Sequence, residues 1–130
     1  FTDLVTLEAP IISAGSADTF TTNASDAVGF MFDTRMTTDT WWLTGVAANT
    51  DATHQDSGFA PVADTYEVLR VEVTAAGVAT FYRNGKQVGT AMSGALTAAT
   101  DLTPTIAFGK LSTATSITAN LDYVAVSMNR

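Results

Sequence analysis

The chain contains no cysteine, so it forms no disulfides and offers no thiolate ligands, and cysteine usage says nothing about its redox compartment. It is also poor in charge: charged residues are 15% of its 130 residues, against about 25% in an average soluble domain. The six basic residues stand singly in a chain of net charge -7, which argues against nucleic acid or an anionic membrane surface as partner. A surface so poor in Lys and Glu is common in proteins that pack against other proteins.

Long apolar runs and helical periodicity are missing too. No run approaches the roughly 18 apolar residues of a membrane span, and no basic-then-apolar segment opens the chain as a signal peptide would. No window of about a dozen residues carries a sustained period of 3.6, so we predict no long helix. The length favours a single domain over residues 1–130.

What the sequence has in quantity is short runs of β-branched and aromatic residues, separated by clusters of Gly, Asn, Asp, Ser and Pro. These runs predict strands at Asp3–Ala9, Val28–Asp33, Thr40–Ala47, Tyr66–Thr74, Val78–Arg83, Lys86–Thr90, Thr105–Lys110 and Ile117–Ser127. Several short strands at regular spacing predict an all-β fold, with antiparallel sheets in a sandwich or barrel.

The stretch VATFYRNGKQVGT, residues 78–90, is typical of a β-hairpin. Asn84 and Gly85 lie between its arms, and both tolerate the positive φ of a two-residue type I′ turn. If residues 75–77 form a three-residue loop, the preceding strand becomes the first of a three-stranded meander. The predicted cross-strand pairs are Val73 with Ala79, Val71 with Phe81, and Phe81 with Val88.

This register sorts the side chains of the meander onto two faces, as a half-buried antiparallel sheet requires. The face predicted to be buried carries Leu69, Val71, Val73, Ala79, Phe81 and Val88. The face predicted to be polar carries Arg70, Glu72, Thr80, Tyr82 and Gln87. Arg83 and Lys86 oppose each other across the turn, an unfavourable pair of like charges unless both side chains extend into water.

The strings YEVLRVEVTAAGVATFYRNGKQVGT, TPTIAFGK and LDYVAVSMNR together resemble the C-terminal half of a concanavalin A-like (laminin G-like) jelly roll. With DAVGFMFDT, WWLTGVAA and the loop DSGFAPVA upstream, the chain is most similar to virion proteins of tailed bacteriophages. The resemblance covers Asp26 to Arg130. It implies a jelly-roll sandwich without an active site, in a capsid decoration or fibre domain; because fold does not determine function, this is an expectation by analogy.

Catalysis is not expected. Jelly-roll glucanases of similar fold carry paired carboxylates in an E-x-D-x-x-E strand, and retaining hydrolysis needs two carboxyl groups about 5 to 5.5 Å apart. The three glutamates here, Glu8, Glu67 and Glu72, do not have that spacing. Glu67 alternates onto the apolar side near the start of its strand, and Glu72 shares the polar face with Arg70, which is typical of a surface pair. No G-x-S-x-G elbow or phosphate-binding loop is present.

His54 is the only histidine and lies between Asp51 and Asp56 in the stretch NTDATHQDSG. The spacing of these three residues matches neither an EF-hand loop nor a zinc signature. Asp and Asn favour turns without any ligand, so we interpret the stretch as a polar surface loop and expect no metal and no cofactor.

Trp41 and Trp42 are adjacent, so on a strand their indoles point to opposite faces. In one interpretation, one lies in the inter-sheet core and the other under a loop. In the other, one lies on an exposed face as an anchor in a subunit contact or a platform for a sugar. Both remain open from the sequence, with the subunit contact favoured over the sugar.

We therefore expect a structural virion protein that decorates or stabilises a phage capsid, or forms part of a fibre, and contacts other virion proteins. Phe1 is followed at once by a strand-like run, which favours either the C-terminal part of a longer chain or a sheet completed by another subunit. A homo-oligomer is expected, with a trimer favoured. The alternative is a lectin-like module that binds a glycan or receptor through the polar face or the loop from Asn49 to Ser57. The candidate contact or ligand face comprises Trp41, Trp42, Arg70, Glu72, Tyr82 and Gln87.

Overall fold

The computed structural model describes residues 2, 12–14, 18–108 and 118–127. Its secondary structure in these ranges consists of β-strands: β1 (Ile12–Ala14), β2 (Phe20–Thr22), β3 (Ala27–Met31), β4 (Trp42–Ala47), β5 (Thr50–Asp51), β6 (Gln55–Asp56), β7 (Leu69–Val73), β8 (Ala79–Arg83) and β9 (Lys86–Met92). Every pairing is antiparallel, so the predicted all-β class is confirmed. The described ranges contain no helix long and apolar enough to cross a membrane.

The described residues form three sheets, and two of them are the layers around the core. The first has the order β3-β4-β5, with β6 also paired to β4, and the second has the order β7-β8-β9. The remaining sheet is the hairpin of β1 and β2. Thr2 is fully buried and bridges both Ala27, at the start of β3, and Thr103, which ties the beginning of the chain to the sheet.

The meander has the predicted register. Val73 pairs with Ala79, Val71 with Phe81, and Phe81 with Val88. Asn84 and Gly85 have φ values of 50° and 79°, as a type I′ turn requires. The loop at residues 75–77 closes with a hydrogen bond from the Gly77 amide to the carbonyl of Thr74. Local turn chemistry and side-chain alternation agree here, which is why the prediction succeeds.

The core lies between the two large sheets, which form an antiparallel β-sandwich. Val28 and Leu43 from the first sheet meet side chains from β8 and β9, and the buried set comprises Val28, Leu43, Ala79, Phe81, Val88, Met92 and Ala95. Gly45 permits the close approach, because a Cβ there would lie 2.8 Å from both the backbone of Ala95 and the sulfur of Met92. Phe81 is fully buried and Leu69 and Val71 are half-buried, so the predicted orientation of the meander is correct, but Val73 of the same predicted face is 38% exposed.

The opposite face of β4 is covered as well. Trp42 packs edge-on against Phe20 of β2 with ring centroids 5.5 Å apart, and Met36 completes this smaller cluster. The hairpin of β1 and β2 was not predicted, because the cluster SAGSAD indicates a turn and nothing local indicates which face its arms would cover. As a result, β4 is buried on both sides over most of its length.

Several predicted strands need correction. Residues 105–108 and 118–127 are not strands in the structure, although their β-branched and aromatic composition predicted them. Strand propensity describes how well a side chain fits a sheet, and it creates no strand unless a neighbouring strand accepts the backbone hydrogen bonds. The predicted strand Asp3–Ala9 and residues 109, 110 and 117 of the other two lie outside the described residues.

The stretch from Asn49 to Ser57 is less loop-like than predicted. It contributes β5 and β6, which pair one after the other along the edge of β4 opposite β3. Ala48 and Asn49 have φ values of 48° and 62°, so a second tight turn joins β4 to β5. The prediction missed this turn because Ala rarely adopts positive φ.

Candidate functional site

The polar face of the three-stranded sheet brings four of the candidate residues together. Tyr82 lies opposite both Arg70 and Gln87 in the strand register. The Arg70 guanidinium stacks over the Tyr82 ring, 3.9 Å from its centroid, and also forms an ion pair with Glu72. Both members of this ion pair are about half exposed, so it contributes little to stability. The stacked guanidinium covers one face of the tyrosine ring.

Trp41 is half-buried and lies apart from that face. Its ring approaches Phe30 at 6.3 Å and Phe32 at 5.8 Å, centroid to centroid, and Phe30 in turn packs edge-on against Phe81 of the core. Its indole Nε1 donates a hydrogen bond of 3.0 Å to Glu67. Trp41 therefore extends the inter-sheet core toward one end of the sandwich.

Glu67 and Arg83 form an ion pair at the same end of the sandwich. The side chain of Glu67 is only 7% exposed, and it accepts from Arg83 at one carboxylate oxygen and from Trp41 at the other. The hydrogen bond from Arg83 is the main reason that the pKa of Glu67 lies below its ordinary value; burial opposes this shift and the Trp41 hydrogen bond adds to it. The same pairing raises the pKa of Arg83.

This ion pair corrects the expectation that Arg83 extends into water away from Lys86. Arg83 instead turns to Glu67, and its guanidinium also lies 4.8 Å from the ring centroid of Phe59. A signal was present in the sequence: in the predicted register, Glu67 and Arg83 both alternate onto the apolar side of the meander. Two opposite charges near one end of an apolar face are expected to pair, because neither can be buried alone.

Trp42, the other tryptophan of the candidate set, is 9% exposed. It lies beneath Phe20 and Met36 on the outer side of β4, so its indole is covered by the chain's own side chains. Its Nε1 has no hydrogen-bond partner among the described atoms. A role for Trp42 as an exposed anchor is therefore not supported by its position.

The polar side chains of the stretch from Asn49 to Ser57 contact the chain itself. Asp51 accepts a hydrogen bond of 2.6 Å from Thr22, and the His54 ring lies 3.0 Å from the carbonyl of Gly45 and packs edge-on against Phe20. Asp56 accepts from two threonine hydroxyls and a backbone amide, and these bonds lower its pKa although burial opposes the shift. Among the described residues, no three His, Asp or Glu side chains are grouped to hold a metal ion.

Large apolar side chains near the C-terminal end are exposed. We call the following residues, which are between 47% and 63% exposed, the C-terminal apolar set: Ile106, Phe108, Leu121, Tyr123, Val124 and Val126. The sequence predicted strands over these residues and therefore gave no indication that their side chains would meet water. Scattered apolar residues are common on surfaces, but four in six consecutive positions, as from Leu121 to Val126, are not.

Comparison of the chain with protein-family models, with curated proteins and with solved structures gave no match. Function must therefore be argued from the residues. The ion pair of Glu67 and Arg83 is satisfied within the fold, and so is the polar face around Tyr82. The C-terminal apolar set, in contrast, is exposed in the described part of the chain.

Proposed function

We propose that this protein is a non-enzymatic structural subunit that works by packing against other proteins in a virion, either as a capsid decoration protein or as part of a fibre. The observation that carries the proposal is the exposure of the C-terminal apolar set. Exposed apolar side chains that are close together mark surfaces that bind a partner, and a protein contact is one such surface. A partner that covers them gains the free energy of removing apolar area from water, about 25 cal/mol per Å².

The low charge of the chain supports the same proposal. Lys and Glu are depleted at interface cores because they are costly to desolvate, and here charged residues are only 15% of the chain. The assignment to a tailed phage, and to its head or fibre, rests on the sequence resemblance alone. A jelly-roll topology is part of that assignment and extends beyond the antiparallel sandwich described above.

The test is binding to particles. The full-length protein is mixed with virions purified from the same source, and co-sedimentation through a sucrose gradient is followed by cryo-electron microscopy. We expect saturable binding to a defined lattice position. Val126→Asp should weaken binding, because it places a charge in the apolar contact, whereas the control Gln87→Asp on the polar sheet face should not. Failure of the wild-type protein to bind particles, together with binding to an oligosaccharide, would overturn the proposal.

A carbohydrate-binding module is the second candidate, and one observation favours it. Phe32 and Phe59 are about 40% exposed and lie beside Trp41 and Arg83, respectively, so aromatic rings are accessible at this end of the sandwich. Sugars stack on such rings. A glycan array with wild-type protein and the Phe59→Ala variant tests this candidate, which requires binding that the variant loses.

A further inference from the structure

Residues 118–127 have the composition of a strand but make no strand hydrogen bonds in the described part of the chain. Among the described residues, these ten form no main-chain hydrogen bond, and all ten are exposed. Apolar side chains occur on both alternation faces, with Leu121 and Tyr123 on one and Val124 and Val126 on the other. Such a segment gains main-chain hydrogen bonds and apolar burial by joining the edge of a sheet.

The same molecule has an open sheet edge at β7. In the described ranges, β7 pairs with β8 alone. Thr74 donates to the carbonyl of Val78, and Asn84 donates to that of Val68, so the hydrogen-bonded pairs fall at even positions of β7. In an antiparallel ladder the alternate residues then direct their N–H and C=O groups away from the partner. These residues are Leu69, Val71 and Val73.

The other edge of this sheet is protected. Near Thr90 the register of β9 shifts, and the side-chain amide of Gln55 bonds both the N–H and the C=O of Thr90, at 2.9 and 3.3 Å. A bulge and a side chain that occupies the backbone groups are both means by which proteins block strand addition. No such device is present among the described contacts of Leu69, Val71 and Val73, so β7 is the edge that can accept a strand.

We propose that residues 118–127 of one copy add as a strand to the β7 edge of a second copy, and that this exchange holds the copies together. The inference rests on the proposed assembly role and names the partner within it. Among the described residues, each copy carries one segment of strand composition that has no strand partner and one open sheet edge, and no described hydrogen bond joins the two, so association of copies satisfies both. The pairing also covers Val73, which is 38% exposed at the edge.

Amide hydrogen exchange of the full-length protein tests the pairing without any substitution. We expect the amides of Leu69, Val71 and Val73 to exchange more slowly by about tenfold or more as protein concentration rises and copies associate. The amides of Arg70 and Glu72, which face β8, serve as internal controls and should be protected at every concentration. Protection of the outward amides in a monomer would show that the segment pairs with its own sheet, and absence of protection in the oligomer would exclude strand addition; either result overturns the proposal.

Two variants and a cross-link add independent readouts. Val124→Pro removes an N–H and should abolish the concentration-dependent protection, whereas Val124→Thr, which keeps the N–H and the β-branched shape, should retain it. Because the chain has no native cysteine, isotope-labelled Val71→Cys can be mixed with unlabelled single-cysteine variants at positions 121 to 126. Heterodisulfides whose yield alternates along the segment are expected, and a flat or zero yield would contradict the pairing.

The outcomes separate this inference from the proposed function. If the protein binds particles but shows no concentration-dependent protection at β7, the strand exchange is wrong and the assembly role stands. If it shows the protection but never binds particles, the exchange stands and the virion role is wrong.

Discussion

Trp41 and Trp42 are neighbours in the chain but differ in what their indole nitrogens contact. Trp41 donates to the nearly buried carboxylate of Glu67, whereas the Nε1 of Trp42 has no partner among the described atoms. Trp41→Phe should destabilise the protein by about 1 to 3 kcal/mol, because the carboxylate loses a donor. Trp42→Phe should cost less, because removal of an unpaired buried N–H offsets part of the lost packing. Denaturant unfolding of both variants measures the difference; a larger cost for Trp42→Phe would indicate that a water bonds its indole.

Glu67 also makes stability depend on pH. Its pKa in the folded protein lies below the ordinary value of 4.5, mainly because of Arg83, so the unfolded chain binds a proton more readily than the folded one. The stabilisation is therefore complete above the ordinary pKa and is lost as the pH falls through the lower folded pKa. Glu67→Gln should flatten the acid limb of a plot of unfolding free energy against pH. Glu72→Gln, in the exposed pair with Arg70, is the matched control and should change it less; equal effects would contradict the role of burial.

At the scale of the element, the turn between β8 and β9 depends on positive φ at two successive residues. Gly85 has a φ of 79° and open space around its missing Cβ, so backbone strain alone limits what can replace it. Gly85→Val should cost about 1 kcal/mol or more, because a β-branched residue is a steric outlier at positive φ. Gly85→Asn should cost less, since Asn tolerates this region. Thermal unfolding of the two variants compares them, and equal costs would mean that the turn changes type.

The strand β8 carries Phe81, the largest fully buried side chain among the described residues. Phe81 is fully buried between the sheets and meets Phe30 edge-on, with ring centroids 5.4 Å apart. Phe81→Ala should destabilise the protein by about 3 to 5 kcal/mol. Thr80→Ala, one residue earlier and on the opposite face, should stay near zero. A tolerated Phe81→Ala in urea unfolding would contradict the packing of the two sheets.

The elements that the sequence predicted well are those whose partner lies next to them in the chain. The meander needs only two short loops, so alternation and turn residues determine its register over β7, β8 and β9. The segment near residues 118–127 shows the opposite case: its residues favour a strand, but a strand also needs a partner, and a local pattern cannot specify one. Burial of Trp42 was one of two interpretations left open by the sequence, which could not choose between them because the covering ring, Phe20, is distant in the chain.

In the candidate site, too, the sequence predicted the contacts that follow from the strand register and missed the others. The stack of Arg70 on Tyr82 and the ion pair with Glu72 follow from the register, so the sequence placed these three residues on one face. The pairing of Glu67 with Arg83 was missed although both lie on the apolar side of the predicted meander, because Arg83 was considered only with Lys86 and Glu67 only as a charge near the start of its strand. Exposure of the C-terminal apolar set could not be predicted, because the sequence predicted strands over these residues and the structure shows none in their described part.

For the whole molecule, the net charge of -7 is the property that strand exchange between copies must overcome. Two acidic copies repel each other. The main-chain hydrogen bonds and apolar contacts proposed at β7 are attractive, and they do not depend on pairs of opposite charges. Added salt screens the repulsion, because the Debye length falls from about 10 Å at 0.1 M to about 3 Å at 1 M. Self-association measured by sedimentation equilibrium should therefore strengthen with sodium chloride. The variant Asp122→Asn removes a charge from the donated segment, so it should associate more strongly than the wild type at low salt and depend less on salt. If salt instead weakens association, ion pairs hold the copies together and the exchanged strand is not the main contact.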